Sequence, residues 1–308
     1  MTKQILVPLD GSPLAERALP YAESLARAIE ARVVLLRAVE AHAFTGRGRA
    51  KARMAAMAEA EAYLDGIAAP LRERGLTVDA ALPYGNAPDT IADEIAFRAI
   101  DLVVMATHGR SGLGRFVYGS VAARVLHEAE APVLLVRAWE GQAGGSFDEV
   151  PRIVVPLDGE PFAEAALPVA RELAAALGGQ LLLVRAILPP EVAGVPDMYY
   201  ANFDPEAELA SAMAYLERIA ARGGETGHPA QVIAQVGMPA ALIPEVARTN
   251  RAAFVVMATH GRSGFGRHVL GSVADATLRL GTTPLLLVRP EETEESDAAA
   301  ATNAAADA

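Results

Sequence analysis

Apolar residues recur along this chain in two alternating patterns. Short unbroken runs such as ILVPL (5–9), RVVLLRAV (32–39) and DLVVMAT (101–107) are separated by longer stretches in which apolar positions return every three or four residues. The first pattern predicts buried strands and the second predicts amphipathic helices. The first half of the chain then reads as strand 5–9, helix 12–30, strand 32–39, helix 47–74, strand 76–83, helix 87–99, strand 101–107, helix 119–130 and strand 132–138. Pro13 stands near the predicted start of the first helix, where a missing N–H costs no hydrogen bond. Strands that are apolar throughout, each followed by a helix, predict a parallel sheet covered on both faces.

The pattern then repeats. QILVPLDGSPLAERALPYA (4–22) returns as RIVVPLDGEPFAEAALPVA (152–170), 148 residues later. The string VVMATHGRSG occurs at 103–112 and again, unchanged, at 255–264, so the spacing there is 152 and the second copy gains four residues between about 188 and 236. A period near 150 is the length of a whole domain, not of a solenoid repeat. The reading is two doubly wound α/β domains of five strands each, at 1–138 and 151–290. A Gly-rich polar linker joins them at 139–150, and an acidic, Ala-rich tail follows at 291–308.

In sheets of this kind ligands bind beyond the carboxyl ends of the strands, where the strand order reverses. Two loops per copy meet there. One carries PLDGS (8–12) or PLDGE (156–160); the other carries ATHGRSGLGRFVYGS (106–120) or ATHGRSGFGRHVLGS (258–272). Glycines let backbone N–H groups turn toward an anion, and a helix N-terminus adds partial positive charge. Ser120 and Ser272 are candidates to donate a hydroxyl to a phosphate or, equally, to cap their helices, with Asp275 three residues after Ser272 resembling a capping box. Asp10 and Asp158 suit a ribose hydroxyl or a Mg²⁺ ion held on phosphates, or a plain turn before glycine. Arg110 and Arg262 suit a phosphate or solvent. His108 and His260 read as structural.

These features resemble the universal stress protein family over 1–137 and 151–290. The resemblance rests on V-P-L-D-G-S after the first strand and on the Gly loop ending in Gly-Ser. The ATP-binding branch of that family carries G-x2-G-x9-G-[ST]. Gly109 with Gly119-Ser120, and Gly261 with Gly271-Ser272, fit it, whereas Ala106 and Ala258 replace the first glycine. A methyl group there matters if the backbone needs positive φ. The resemblance implies that Pro8 and Asp10 lie toward the adenosine and Ala38 near the adenine, with Gly109, Arg110, Gly119, Ser120 and Val121 around the phosphates. In the second copy it implies Pro156, Asp158, Ala186, Gly261, Arg262, Gly271, Ser272 and Val273. It further implies ATP, with Mg²⁺ as its companion, as the ligand, a stress-response role, and pairing of the two copies through their last strands, PVLLVRA and PLLLVRP, as an internal pseudo-dimer open to further homo-oligomerisation through sheet edges. The rival reading is a regulatory module of the same fold without nucleotide binding.

Competing chemistries find little support. No Gly-Lys pair exists for a P-loop, no G-x-G-x-x-G follows the first strand, and His127-Glu128-Ala129-Glu130-Ala131 lacks the second histidine of a zinc site. Nothing completes a catalytic set for phosphoryl transfer, so binding with at most slow ATP hydrolysis is the expectation. The chain lacks cysteine, which fits a reducing compartment. Its N-terminal apolar run is too short for a signal peptide and no run approaches a membrane span, so a cytoplasmic location is expected. Net charge is −11, of which the tail supplies −6, and no net basic domain points to nucleic acid. That tail reads as a disordered, solubilising extension.

The copies differ in their second connection. FTGRGRAKAR (44–53) is basic and reads as a solvated helix start; LPPEVAGVPDMYYANFDP (188–205) is Pro-rich and aromatic and reads as packing.

Overall fold

The computed structural model describes residues 3–40, 49–107, 119–137, 147, 150–189, 203–223, 230–259 and 270–290. The first half runs β1 (Gln4–Pro8), a 3-10 turn (Ala15–Ala18), α1 (Leu19–Ala28), β2 (Arg32–Leu36), α2 (Arg49–Glu73), β3 (Val78–Ala81), α3 (Ala87–Arg98), β4 (Leu102–Ala106), α4 (Ser120–Glu128) and β5 (Val133–Val136). The second half repeats it as β6 (Arg152–Pro156), α5 (Pro161–Glu164), α6 (Leu167–Leu177), β7 (Gln180–Ile187), α7 (Pro205–Gly223), β8 (Ala230–Val236), α8 (Pro239–Thr249), β9 (Phe254–Ala258), α9 (Ser272–Leu280) and β10 (Leu285–Val288). The helix expected from residue 12 begins later. Ser12 Oγ accepts the Ala15 N–H at 3.2 Å, the 3-10 turn follows, and the α-helix starts at Leu19 with Pro20 in its first turn.

All ten strands form one sheet in the order β3-β2-β1-β4-β5-β10-β9-β6-β7-β8. Within each half the strands are parallel, while β5 and β10 pair antiparallel through Leu135–Leu285, Leu134–Leu286 and Val133–Leu287. The expected internal pseudo-dimer is thus a continuous sheet, and the last strands occupy each other's edges. The outer edges belong to β3 and β8.

Strand residues alternate between two cores, as the period of two requires. Ile5, Val33 and Leu35 face Leu25 of α1 and Leu64 of α2, whereas Leu6, Val34 and Leu36 face Ile91 of α3 and Val125 of α4. Each core continues into the second half, onto α6 and α7 on one face and α8 and α9 on the other. The linker also enters the core. Phe147 makes edge-on contacts with Tyr21 at 5.9 Å and Phe254 at 5.8 Å.

Charged contacts tie the halves together at the surface. Lys3 pairs with Glu172 of α6. Arg137, just past β5, donates to the carbonyls of Arg279 at 2.8 Å and Gly281 at 2.6 Å at the end of α9. Arg289, just past β10, donates to Leu126 O at 3.2 Å and His127 O at 3.0 Å at the end of α4. No helix among the described residues is long and apolar enough to cross a membrane.

Candidate functional site

The chain leaves β1 toward β2 and β3 on one side, and β4 and β5 lie on the other, so the order reverses between β1 and β4. Pairing across that junction covers only Ile5–Leu102 and Leu6–Val103, at the amino ends of the two strands. Beyond it, at the carboxyl ends, lies a cavity of about 500 Å³, within the usual range for a small-molecule site. Pro8, Leu9 and Asp10 form one wall and Met105, Ala106 and Thr107 another. Arg37 to Glu40 close the β2 side, Ala56, Glu59 and Ala60 of α2 lie across the top, and Gly119, Ser120 and Val121 bring the start of α4.

Local chemistry sets each wall. Asp10 Oδ1 accepts the Ser12 N–H at 2.9 Å, closing a tight turn in which Gly11 takes φ 83°. This is a conformation that glycine adopts without a steric penalty. Thr107 is buried and its carbonyl accepts the Gly119 N–H at 2.7 Å, which fixes the entry to α4 against the end of β4. Gly119 is itself the N-cap of α4, and Ser120 is the first helical residue. Gly271 and Ser272 repeat this at α9, where Asp275 pairs with Arg279 at 2.7 Å instead. The capping reading of both serines is therefore corrected: a glycine occupies each cap position, and neither cap makes a side-chain hydrogen bond.

A second layer supports the β2 side. The Arg37 guanidinium stacks over the Tyr63 ring at 4.9 Å and meets Glu59 Oε1 at 3.2 Å, with its side chain only 12% exposed. The Tyr63 hydroxyl donates to Glu16 Oε1 at 2.9 Å. Burial first, then the Glu16 carboxylate, pushes that hydroxyl's pKa well above the ordinary tyrosine value. The second domain repeats the arrangement with Arg185 over Tyr215 at 5.0 Å and the Tyr215 hydroxyl donating to Glu164 Oε1 at 2.8 Å. Burial and Glu164 raise that pKa likewise. Asp158 Oδ1 accepts the Glu160 N–H at 2.9 Å, and Gly159 takes φ 98°.

Of the residues singled out in the sequence, Pro8, Asp10, Ala38, Ala106, Gly119, Ser120 and Val121 line this cavity together. Their counterparts Pro156, Asp158, Ala186, Ala258, Gly271, Ser272 and Val273 occupy the same places in the repeated sequence. Ala106 and Ala258 end their strands, and neither has positive φ, so the backbone does not call for glycine at either position. Gly109, Arg110, Gly261, Arg262, His108 and His260 lie outside the described residues, as do Arg47, Tyr199, Tyr200 and the tail. Arg53 of the basic stretch stacks over Tyr84 at 3.9 Å. The contributions of Arg37, Glu59 and Thr107 were missed. Their only signal is position: Arg37 and Thr107 each follow the last apolar residue of a strand, and Glu59 stands four residues before Tyr63 on the same helix face.

Among the described residues no three His, Cys, Asp or Glu side chains converge on a metal position. Asp10, Glu40 and Glu59 line the first cavity, and Asp158 is the equivalent of Asp10 in the second copy. That fits Mg²⁺ only as an ion held chiefly by phosphate oxygens of a nucleotide.

A doubly wound half with a cavity at its switch point is the arrangement in which open α/β sheets place their ligands. Comparison with known proteins is more specific. The model of the universal stress protein family matches residues 1–137 and again 149–289, and the chain belongs to that family as a tandem member. Universal stress proteins of Mycobacterium tuberculosis and Mycobacterium bovis are each 30% identical over 220 residues, covering 70% of this chain and 70% of theirs. The crystal structure of a universal stress protein from Archaeoglobus fulgidus shares the fold, with TM-score 0.71 at 20% identity over 94% of this chain and 98% of its own.

Proposed function

We propose that this universal stress protein binds an adenine nucleotide, ATP in the first instance, at the carboxyl end of each half-sheet, and that it acts in the stress response as a nucleotide-dependent regulator. The observation that carries the reading is the cavity between Pro8–Asp10, Arg37–Glu40, Ala106–Thr107 and Gly119–Val121. It combines apolar walls suited to a base, the Asp10 carboxylate as a ribose acceptor, and the N-terminus of α4 as a partner for phosphate. Gly109 and Arg110 in the first copy, and Gly261 and Arg262 in the second, belong to the same proposal on the strength of the motif. When bound, Mg²⁺ would neutralise phosphate charge. Asp10 and Asp158 are its proposed protein ligands.

The role assigned to nucleotide is binding, not turnover. The test is the nucleotide content of the purified protein, released by denaturation and separated by chromatography, followed by calorimetry with ATP and Mg²⁺. One or two equivalents of ATP per chain are expected, with Asp10→Ala and Asp158→Ala each removing one. No nucleotide and no heat of binding would overturn the proposal in favour of an interaction module of the same fold.

A further inference from the structure

The two supporting clusters share an arginine, a tyrosine and a glutamate. Arg37 and Arg185 occupy equivalent positions, each stacked on a tyrosine whose hydroxyl is held by a glutamate. Arg37 is neutralised by Glu59 at 3.2 Å. The position equivalent to Glu59, 152 residues on, is Ser211, and that equivalent to Glu40, 148 residues on, is Leu188. Arg185 has no ion pair among the described residues. Asp158 already accepts the Glu160 N–H, and Glu164 is engaged by Tyr215.

Arg185 also packs against the loop that follows β6. Its guanidinium rests against the bare backbone of Gly159, with Nη2 at 3.1 Å and Nη1 at 3.2 Å from where a Cβ would stand. That places a half-buried cation on the loop after β6, beside Asp158. Arg218, 5.8 Å from the centre of the Tyr215 ring, replaces Gly66 of the first copy, whereas Glu208 replaces Ala56. Among the positions that line the first cavity, loss of Glu40 and Glu59 against gain of Glu208 leaves the second site one charge more positive than the first.

We infer that Arg185 is a specificity-determining residue of the second site, contacting the anionic part of a nucleotide, and that the first site lacks this contact because Glu59 holds Arg37. The inference rests on the nucleotide reading above and deepens it: the two sites of one chain discriminate ligands by charge. A guanidinium offers an anion paired, planar donors, and such contacts strengthen where water is partly excluded.

The experiment is calorimetry of the full chain with ATP and, separately, with adenosine. The variants are Arg185→Met, Ser211→Glu and Glu59→Ser. Arg185→Met and Ser211→Glu should each weaken one ATP equivalent about tenfold, a difference of about 1.4 kcal/mol, while adenosine changes less than about twofold. Glu59→Ser should tighten the other equivalent for ATP by releasing Arg37. Ser211 is exposed on α7, so its variant tests the idea even if Arg185→Met does not fold. Equal loss of ATP and adenosine would make Arg185 a structural residue and overturn the inference, as would an ATP isotherm indifferent to both substitutions. If only one equivalent binds, it must be the one sensitive to Arg185. A wild-type chain that binds no ATP overturns the nucleotide reading as well, and so the two failures are distinguishable.

Discussion

Arg137 and Gly281 belong to different domains, yet the guanidinium of the first donates to the carbonyl of the second at 2.6 Å. The same Nη1 reaches Arg279 O at 2.8 Å, so one cation satisfies the carboxyl end of α9. Arg289 does the same for α4. Each helix whose N-terminus faces a candidate site therefore has its other end held by the opposite domain. Partial burial lowers the Arg137 pKa from its ordinary value, though a guanidinium stays charged at any physiological pH.

Arg137→Ala should cost roughly 1.5–3 kcal/mol, the range for hydrogen bonds to charged groups, and Arg289→Ala a similar amount. The β5–β10 register sets the two arginines six residues apart along the seam, roughly 20 Å. Their effects should add in the double variant. Urea denaturation of the single and double variants measures this; strong non-additivity would mean that the halves separate before they unfold.

Stability should fall in alkali. Tyr63, Tyr215 and Tyr21 all have raised pKa values, chiefly through burial. Below about pH 10, the ordinary tyrosine value, both folded and unfolded chains keep these protons and the contribution is constant. Above it the unfolded chain releases protons that the folded chain retains, so the free energy of unfolding drops as pH rises. Absorbance titration should find a subset of the seven tyrosines that ionises only on unfolding. Phe at positions 63 and 215 should shrink that subset by two.

Gly159→Ala combines two penalties. The residue sits at φ 98°, and its new methyl would stand 3.1 Å from Arg185 Nη2. Backbone strain alone costs about 1–2 kcal/mol. A loss of at least that size is expected in thermal or urea melts, together with weaker ATP binding at the second site because Arg185 must move.

Ala106→Gly and Ala258→Gly restore the glycine of the family motif and should gain nothing. Both alanines end strands without positive φ. Glycine there should lower stability by about 0.5–1 kcal/mol and leave ATP affinity within about threefold. A large gain in affinity on either substitution would show that the methyl group obstructs the ligand.

The architecture was legible because each level of the sequence agreed with the next. Unbroken apolar strands such as VVLL required cover on both faces, and the duplicated string set the number of domains. Residues that line the cavity were legible where they lie on the strand-end loops, as with Asp10 and Gly119. Residues delivered by helix packing were not. Glu59 stands in a stretch of α2 rich in Ala and Glu, and only the docking of that helix on the sheet decides that Glu59, rather than Glu61, meets Arg37. Phe147 was hidden for a similar reason: a single aromatic in a Gly-rich linker gives no period, and its place between Tyr21 and Phe254 arises from tertiary contact. The late start of α1 followed from Ser12 and Pro20, which compete with a continuous helix through the turn.

The seam between β5 and β10 has the form of a contact between two identical subunits, but here both partners are on one polypeptide. In a homodimer every substitution is written twice, once on each side of the axis, so the two sites must remain the same. A fused chain is released from that rule. Glu59 could be kept on one side while serine stands at 211 on the other, without altering the sheet that joins them. Such a chain can hold two different versions of one duplicated sequence at a fixed ratio of one to one, whatever its concentration.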